Sequence, residues 1–137
     1  MKTAQPLGIT SILAAVNLPR FRFVDFSGGL CTANSKALGV TDSEADAGQY
    51  GALVFSGIAL VECAGAINRG VSVTSDATGK AVTASMFTAT SPAGGTAVTS
   101  TSAAPAMTLA GGVLPQAING YALDAGVAGD IIRVLVI

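Results

Sequence analysis

Few residues in this chain could act as catalytic groups. Histidine, the commonest general base and metal ligand, is absent, which excludes Ser-His and Cys-His nucleophile systems. The acidic run Asp42, Glu44 and Asp46 is similar to the start of a calcium loop, but an EF-hand requires Gly at its sixth position and Glu at its twelfth. Counted from Asp42, those positions hold Ala47 and Leu53. We therefore expect a solvated acidic loop, with no metal site, no catalytic residue and no cofactor.

The glycine-rich stretches do not form a phosphate-binding pattern. Gly94-Gly95 and Gly111-Gly112 are not followed by the Lys and Ser or Thr that a P-loop requires. Tryptophan is absent, and Tyr50 and Tyr121 are the only tyrosines, so there is little aromatic surface on which sugars or bases could stack. The sequence therefore favours a structural or binding protein over an enzyme.

The balance of charged and apolar residues indicates association with other protein. Only 11% of residues are charged and the net charge is −1, so we expect neither nucleic acid nor an anionic membrane as partner. Half of the residues are apolar and the mean hydropathy is +0.62. The longest weakly polar stretch, residues 52–66, contains Glu62, so it is no transmembrane segment. The surplus apolar surface predicts a homo-oligomer or a protein partner.

The N-terminus and the cysteines bear on the compartment. Residues 1–18 have some features of a signal peptide, but Pro6 and Gly8 interrupt them and no clear cleavage site follows. Our preferred interpretation is that residues 1–19 form an ordered or extended N-terminal arm. Cys31 and Cys63 could pair, but two cysteines in a chain without a secretory signal are more often buried thiols.

Short polar clusters and glycines recur at a spacing typical of β proteins. They predict one all-β domain with little helix over residues 20–137. One hairpin is predicted to join residues 71–74 to residues 80–83 through a turn at Asp76 and Gly79. The alternation in these strands places Val71, Val73 and Val82 inward.

Three further strands are predicted, at residues 21–26, at residues 52–64 with a bulge at Gly57, and at residues 131–137. The last is predicted to be buried on both faces apart from Arg133. An insertion at about residues 84–112 is rich in Thr, Ser and Ala. Its alternation indicates a projecting hairpin or loop that pairs residues 86–90 with residues 96–100.

An internal similarity links two parts of the chain. Gly39-Val40-Thr41 is followed after nine residues by Gly48 and then by Leu53-Val54. Gly120-Tyr121-Ala122 is followed at the same spacing by Gly129 and Val134-Leu135. Either a strand, loop, Gly turn and apolar strand are used twice, or an Ala- and Gly-rich chain is similar to itself by chance.

Three stretches in this order resemble the small capsid cement, or head decoration, proteins of tailed bacteriophages. The resemblance covers roughly residues 36–80 and 119–137. Its motifs are Ala37-Leu38-Gly39-Val40 through Ala47-Gly48; Val54-Phe55-Ser56-Gly57, then Ile67-Asn68-Arg69-Gly70-Val71-Ser72-Val73; and Asn119-Gly120-Tyr121-Ala122-Leu123, then Ala128-Gly129-Asp130-Ile131-Ile132-Arg133-Val134.

The resemblance implies a β-barrel-like or tulip-like domain. It further implies a virion protein that is made in the bacterial cytoplasm and binds the capsid exterior as a trimer, bridging major capsid proteins. For docking we expect Pro6, Leu7 and Ile9 to add as a strand to a partner's sheet, with Arg20 and Arg22 near the docking face. The alternative is an arm that packs on its own domain.

Two other classes of protein remain open from the residues alone. A secreted adhesin or surface-layer module would suit the Thr-, Ser- and Ala-rich composition. A small-ligand-binding β-barrel would suit an all-β domain, although no residue pattern indicates a ligand.

Overall fold

The computed structural model describes residues 2–85 and 117–137. Every regular element among them is a β-strand, so the all-β prediction is confirmed, and no helix in these ranges could cross a membrane. The hairpin predicted within residues 86–100 lies outside the described residues. The strands are β1 (Gln5–Leu13), β2 (Phe23–Val24), β3 (Gly39–Thr41), β4 (Tyr50–Glu62), β5 (Ser72–Ser75), β6 (Ala81–Thr83), β7 (Gly120–Ala122) and β8 (Ile131–Val136).

The strands form one antiparallel sheet that almost closes on itself. Their order is β2-β3-β4-β8-β7-β5-β6, and β1 pairs with β4 outside this path. The backbone N–H of Phe23 in β2 donates to the carbonyl of Gly79, in the turn between β5 and β6, at 2.7 Å. This bond joins the two ends of the strand order. The result is the barrel-like domain that the family resemblance implied.

Strand β4 is the longest and connects most of the sheet. Its first part pairs with β1, from Tyr50 opposite Leu13 to Ile58 opposite Gln5, and its second part pairs with β8. The pairing of β1 with β4 shifts register next to Gly57, which has a φ of 97°. An irregularity therefore lies where the sequence predicted a bulge.

Consecutive residues of β4 serve two separate hydrophobic clusters, because side chains alternate between the faces of a strand. Val54 belongs to the larger cluster with Phe23 and Ile132, and Leu53 belongs to the smaller one with Leu18. All five side chains are almost fully buried. Most of the remaining core residues are Ala, Val and Cys, so the interior is built from small side chains.

Two details of the predicted strands were wrong. In β8, Ile132, Val134 and Val136 are buried but Leu135 is 41% exposed, so only one face of this strand is buried. In β6, Val82 is only half-buried because it pairs with Thr74 on the face opposite Val73, and its neighbour Ala81 packs in the core instead.

The predicted strand at residues 21–26 is shorter than expected. Only Phe23 and Val24 are in regular strand conformation. Phe26 belongs to the following turn and is 67% exposed. The apolar residues of this stretch alternate imperfectly, and the structure shows that they do not form one continuous strand.

The internal similarity belongs to a repeated backbone arrangement. Four eight-residue segments share this arrangement, and we call them corners: residues 14–21, 41–48, 63–70 and 122–129. The first corner pairs with the second, and the third pairs with the fourth. Leu18 and Ala45 exchange two backbone hydrogen bonds of 2.7 and 3.1 Å, and Ile67 and Gly126 exchange two of 2.8 and 3.0 Å. In each corner the N–H of the eighth residue donates to the first carbonyl of the paired corner: Phe21 to Thr41, Gly48 to Ala14, Gly70 to Ala122 and Gly129 to Cys63.

Candidate docking surface

Strand β1 presents an apolar and uncharged edge. Its residues, Gln5 to Leu13, include no charged side chain, and Leu7 is 86% exposed and Ile9 52% exposed. Within the described residues β1 pairs with β4 alone, so its other edge carries backbone groups with no strand beside them. Residues 5–13 therefore form part of the chain's own sheet, and the predicted arm packs on its own domain.

A glycine and an aromatic ring hold β1 against β4. The ring of Phe55 lies over Gly8, where an added Cβ would come within 2.5 Å of a ring carbon. A side chain at position 8 would require this ring to move, and the ring covers backbone that glycine would otherwise expose. Phe55 remains 46% exposed, so it adds apolar area beside the edge of β1.

A cleft of about 280 Å³ is lined by residues 2–4, which precede β1, and by part of β4. Its mouth carries the cations Lys2 and Arg20 together with Asp42, and buried Val54 and half-buried Leu60 form part of its wall. The cleft is formed because the residues before β1 run past β4 and the corner at residues 14–21. It therefore combines an apolar wall with a charged rim.

Arg20 is held in place at the rim of the cleft. Its Nε donates to the backbone carbonyl of Asp42 at 3.2 Å, and its guanidinium carbon lies 4.8 Å from the centre of the Phe21 ring. A guanidinium over an aromatic face is a favourable cation–π contact. These two contacts order a side chain that would otherwise sample many rotamers.

Arg22 has a different role from Arg20. Its guanidinium forms an ion pair with Glu62 at 3.1 Å and donates to the backbone carbonyl of Thr78 at 3.0 Å. Lys80 also pairs with Glu62 at 3.1 Å. Burial acts to raise the pKa of Glu62, but hydrogen bonds and charge from Lys80 and Arg22 outweigh it and lower this pKa. Arg22 thus links β4 to the turn after β5 and is mostly buried.

The predicted turn residues are structural. Asp76 Oδ1 accepts three hydrogen bonds, from the Thr78 N–H, the Thr78 hydroxyl and the Lys80 N–H, at 2.8 to 3.0 Å. Gly79 has a φ of 81°. The same arrangement occurs at Asp25, whose Oδ1 accepts from Ser27 and from the Gly29 N–H. This equivalence was not predicted, although both turns have Asp, a hydroxyl residue and Gly at the same spacing.

The described residues offer little that could do chemistry. Asp42, Glu44 and Asp46 are all exposed, and no three Cys, Asp or Glu side chains in residues 2–85 and 117–137 lie close enough to hold a metal ion. Cys31 and Cys63 are buried free thiols, and burial raises the pKa of each. The expectation that the acidic loop binds no metal stays a prediction.

Four of the five predicted contact residues are exposed: Pro6, Leu7 and Ile9 on β1, and Arg20 at the cleft. Pro6 lies opposite Gly57 in the register, whereas Arg22 is mostly buried and pairs with Glu62. We refer to Pro6, Leu7, Ile9 and the cleft as the β1 surface. Lys2 and Phe21, which sequence analysis missed, complete it.

These features define a small barrel-like protein whose candidate functional site is a surface for binding protein. A family model described as phage cement protein matches residues 5–113. The chain belongs to the phage cement protein family, and its role is structural and capsid-associated. This confirms the family resemblance and does not favour the adhesin or ligand-binding alternatives.

The fold has a counterpart among solved structures. The crystal structure of the head fiber gp8.5 N base in bacteriophage phi29 aligns with a TM-score of 0.61 at 15% sequence identity. The alignment covers 95% of this chain and 93% of that chain, so the similarity extends over the whole fold. No curated protein sequence matches the chain.

Proposed function

We propose that this protein is a decoration protein of a tailed-phage head, which binds the outer surface of the major capsid protein lattice and stabilises the shell. The observation that carries the proposal, beside membership of the cement family, is the exposed and uncharged edge of β1. It acts as a structural part of the virion and catalyses no reaction.

The edge of β1 is suited to pairing with another strand. Proteins that do not use an edge strand for binding usually protect it with charged residues, bulges or short length. Strand β1 has nine residues and none is charged, although Pro6 and the irregularity near Gly8 protect its first part. A strand from a capsid protein could therefore pair along residues 9–13, with Leu7 and Ile9 contributing apolar contact.

We propose that the protein also associates with its own copies, as the homotrimer that the family resemblance implies. Support for an association surface comes from Leu135 and Tyr121, which form a second exposed apolar pair in adjacent strands, each 41% exposed. Leu135 lies opposite Ile58 of β4, which in turn lies opposite Gln5, so this pair is two strands from the start of β1.

Point substitutions test the docking surface better than deletion of the N-terminus. Deleting residues 1–18 would remove Ala14 and Leu18, which are 2% and 1% exposed and lie in the core. We would instead combine Leu7→Lys with Ile9→Lys, which places two charges on the edge. Val127→Lys is the matched control, because Val127 is 60% exposed in another corner.

The assay is co-sedimentation with heads of the encoding phage that were assembled without this protein. The wild type and Val127→Lys should coat the heads, and the double variant should not. Native mass of the purified protein tests the trimer separately. Heads that bind the double variant as well as the wild type would contradict docking through β1, and a monomer at high concentration would contradict the trimer.

A further inference from the structure

Phe21 has a backbone conformation that bulky residues avoid. Its φ is 66°, in the left-handed region, where an aromatic residue is a genuine outlier. The only other non-glycine residue with positive φ in the described ranges is Asn34, a residue type that tolerates this region. Such strain persists only where something else favours the residue.

The repeated corners show what folding alone requires at this position. Phe21 is the eighth residue of the first corner, and its equivalents are Gly48, Gly70 and Gly129, with φ between 86° and 90°. A Cβ added at any of these glycines would have no atom within 4 Å, so the corner leaves open space beside its eighth residue. The fold therefore accepts glycine here, and the aromatic ring of Phe21 is not a requirement of the corner.

The ring of Phe21 instead serves the cleft. Phe21 lines it beside Lys2 and Asp42, and the ring supports the guanidinium of Arg20 at 4.8 Å. Lys2 also lines the cleft, but its Nζ donates to the backbone carbonyl of Ile131 at 3.0 Å. The ordered guanidinium of Arg20 is suited to binding a carboxylate, because it presents parallel N–H donors in a fixed plane.

We propose that Phe21 and Arg20 form a docking platform for an acidic segment of a partner protein, whose carboxylate binds Arg20 while its apolar part enters the cleft. The inference rests on the proposed function and names the chemistry of the partner at that surface: an extended capsid segment that carries Asp or Glu. The contact between the Phe21 ring and Arg20 then explains why an aromatic residue occupies a position with strained backbone.

The repeat supplies matched variants for the test. Phe21→Gly removes the ring and, by the precedent of Gly48, Gly70 and Gly129, relieves the backbone. Arg20→Ala removes the cation. Its control is Arg69→Ala. Arg69 is exposed and, like Arg20, is the seventh residue of its corner, but the residue that follows it is Gly70 and not an aromatic residue. Both arginine variants change the net charge equally.

The readouts are melting temperature and co-sedimentation with heads of the encoding phage that lack this protein. Phe21→Gly should melt at the same or a higher temperature and bind at least about tenfold more weakly. Arg20→Ala should lose binding to a similar extent and Arg69→Ala should not. Raising the salt concentration should weaken the wild type and Arg69→Ala more than Arg20→Ala.

Several results would overturn the inference. Unchanged binding by Phe21→Gly, or equal binding by the two arginine variants, would do so while leaving the proposed function intact. A lower melting temperature for Phe21→Gly with normal binding by Arg20→Ala would show that the ring packs the core. Failure of the wild type itself to bind heads would refute both the proposed function and the platform.

Discussion

Closure of the barrel depends on a close approach at Gly79. This residue accepts the backbone hydrogen bond from Phe23 that joins the two ends of the sheet. A Cβ at Gly79 would lie 2.6 Å from the carbonyl oxygen of Phe23. Gly79→Ala therefore tests whether that approach exists, and Gly70→Ala is its control, because Gly70 has a similar φ of 86° but open space around it.

The two substitutions share one cost and differ in another. A left-handed conformation costs a residue with a Cβ about 1–2 kcal/mol, and this applies to both sites. At Gly79 the backbone must also shift by a few tenths of an ångström, which weakens a hydrogen bond worth about 1 kcal/mol. We expect the free energy of unfolding to fall by about 1–2 kcal/mol for Gly70→Ala and by about 2–3 kcal/mol for Gly79→Ala. The entropy that alanine removes from the unfolded chain is the same in both and cancels in the difference.

Denaturant unfolding at one fixed protein concentration measures both variants, with melting temperature as a second readout. A difference of 1 kcal/mol corresponds to roughly 3–6 °C in a domain of this size. Equal destabilisation by the two substitutions would refute the reasoning, because it would mean that the contact between the turn and β2 contributes nothing measurable to stability. A neutral Gly79→Ala would also contradict the positive φ.

Three other predictions concern charge, thiols and metal. The guanidinium of Arg133 forms two hydrogen bonds of 2.9 Å with Asp124 and holds the pKa of that carboxyl well below its usual range. The folded state then binds this proton less readily than the unfolded chain, so the melting temperature should fall as the pH drops below about 4, and less steeply in Asp124→Asn. Because Cys31 and Cys63 are buried with raised pKa values, Ellman's reagent should react slowly with the native protein. Both thiols should become reactive once the protein is denatured. Calorimetry with calcium or magnesium should show no saturable binding at residues 42–46, and micromolar affinity would contradict this.

The sequence predicted the class of fold and its main hairpin because these depend on local signals. Alternation at residues 71–74 and the Asp-to-Gly spacing at residues 76–79 determine a strand and a turn within a few residues of one another. Pairing across long distances left weaker signals. The second part of β4 pairs with β8, and the Phe23 bond to Gly79 spans more than fifty positions, so nothing local indicates either contact.

The candidate site was predicted in part for the same reason. Leu7 and Ile9 were predicted because they are apolar residues in a segment that Pro6 and Gly8 keep from forming a stable element by itself, although β1 belongs to the chain's own sheet. Arg20 and Arg22 are two positions apart and share a charge, but one lies at the cleft and the other pairs with Glu62. The position of β4 decides which of the two arginines is available for binding a partner, and the spacing of residues in the sequence does not show that position. Phe21 could have been noticed had the internal similarity been extended to residues 14–21.

The repeat makes it possible to separate residues that serve folding from residues that serve binding. Equivalent positions meet the same backbone demands, so a difference between them points to another cause. Val40 and Val54 pair in β3 and β4 and are each 1% exposed, whereas their equivalents Tyr121 and Leu135 are each 41% exposed. Phe21 differs from its glycine equivalents in the same sense. Both departures place apolar side chains where the equivalent positions show that folding does not need them, which is what the proposed binding of partner protein would require.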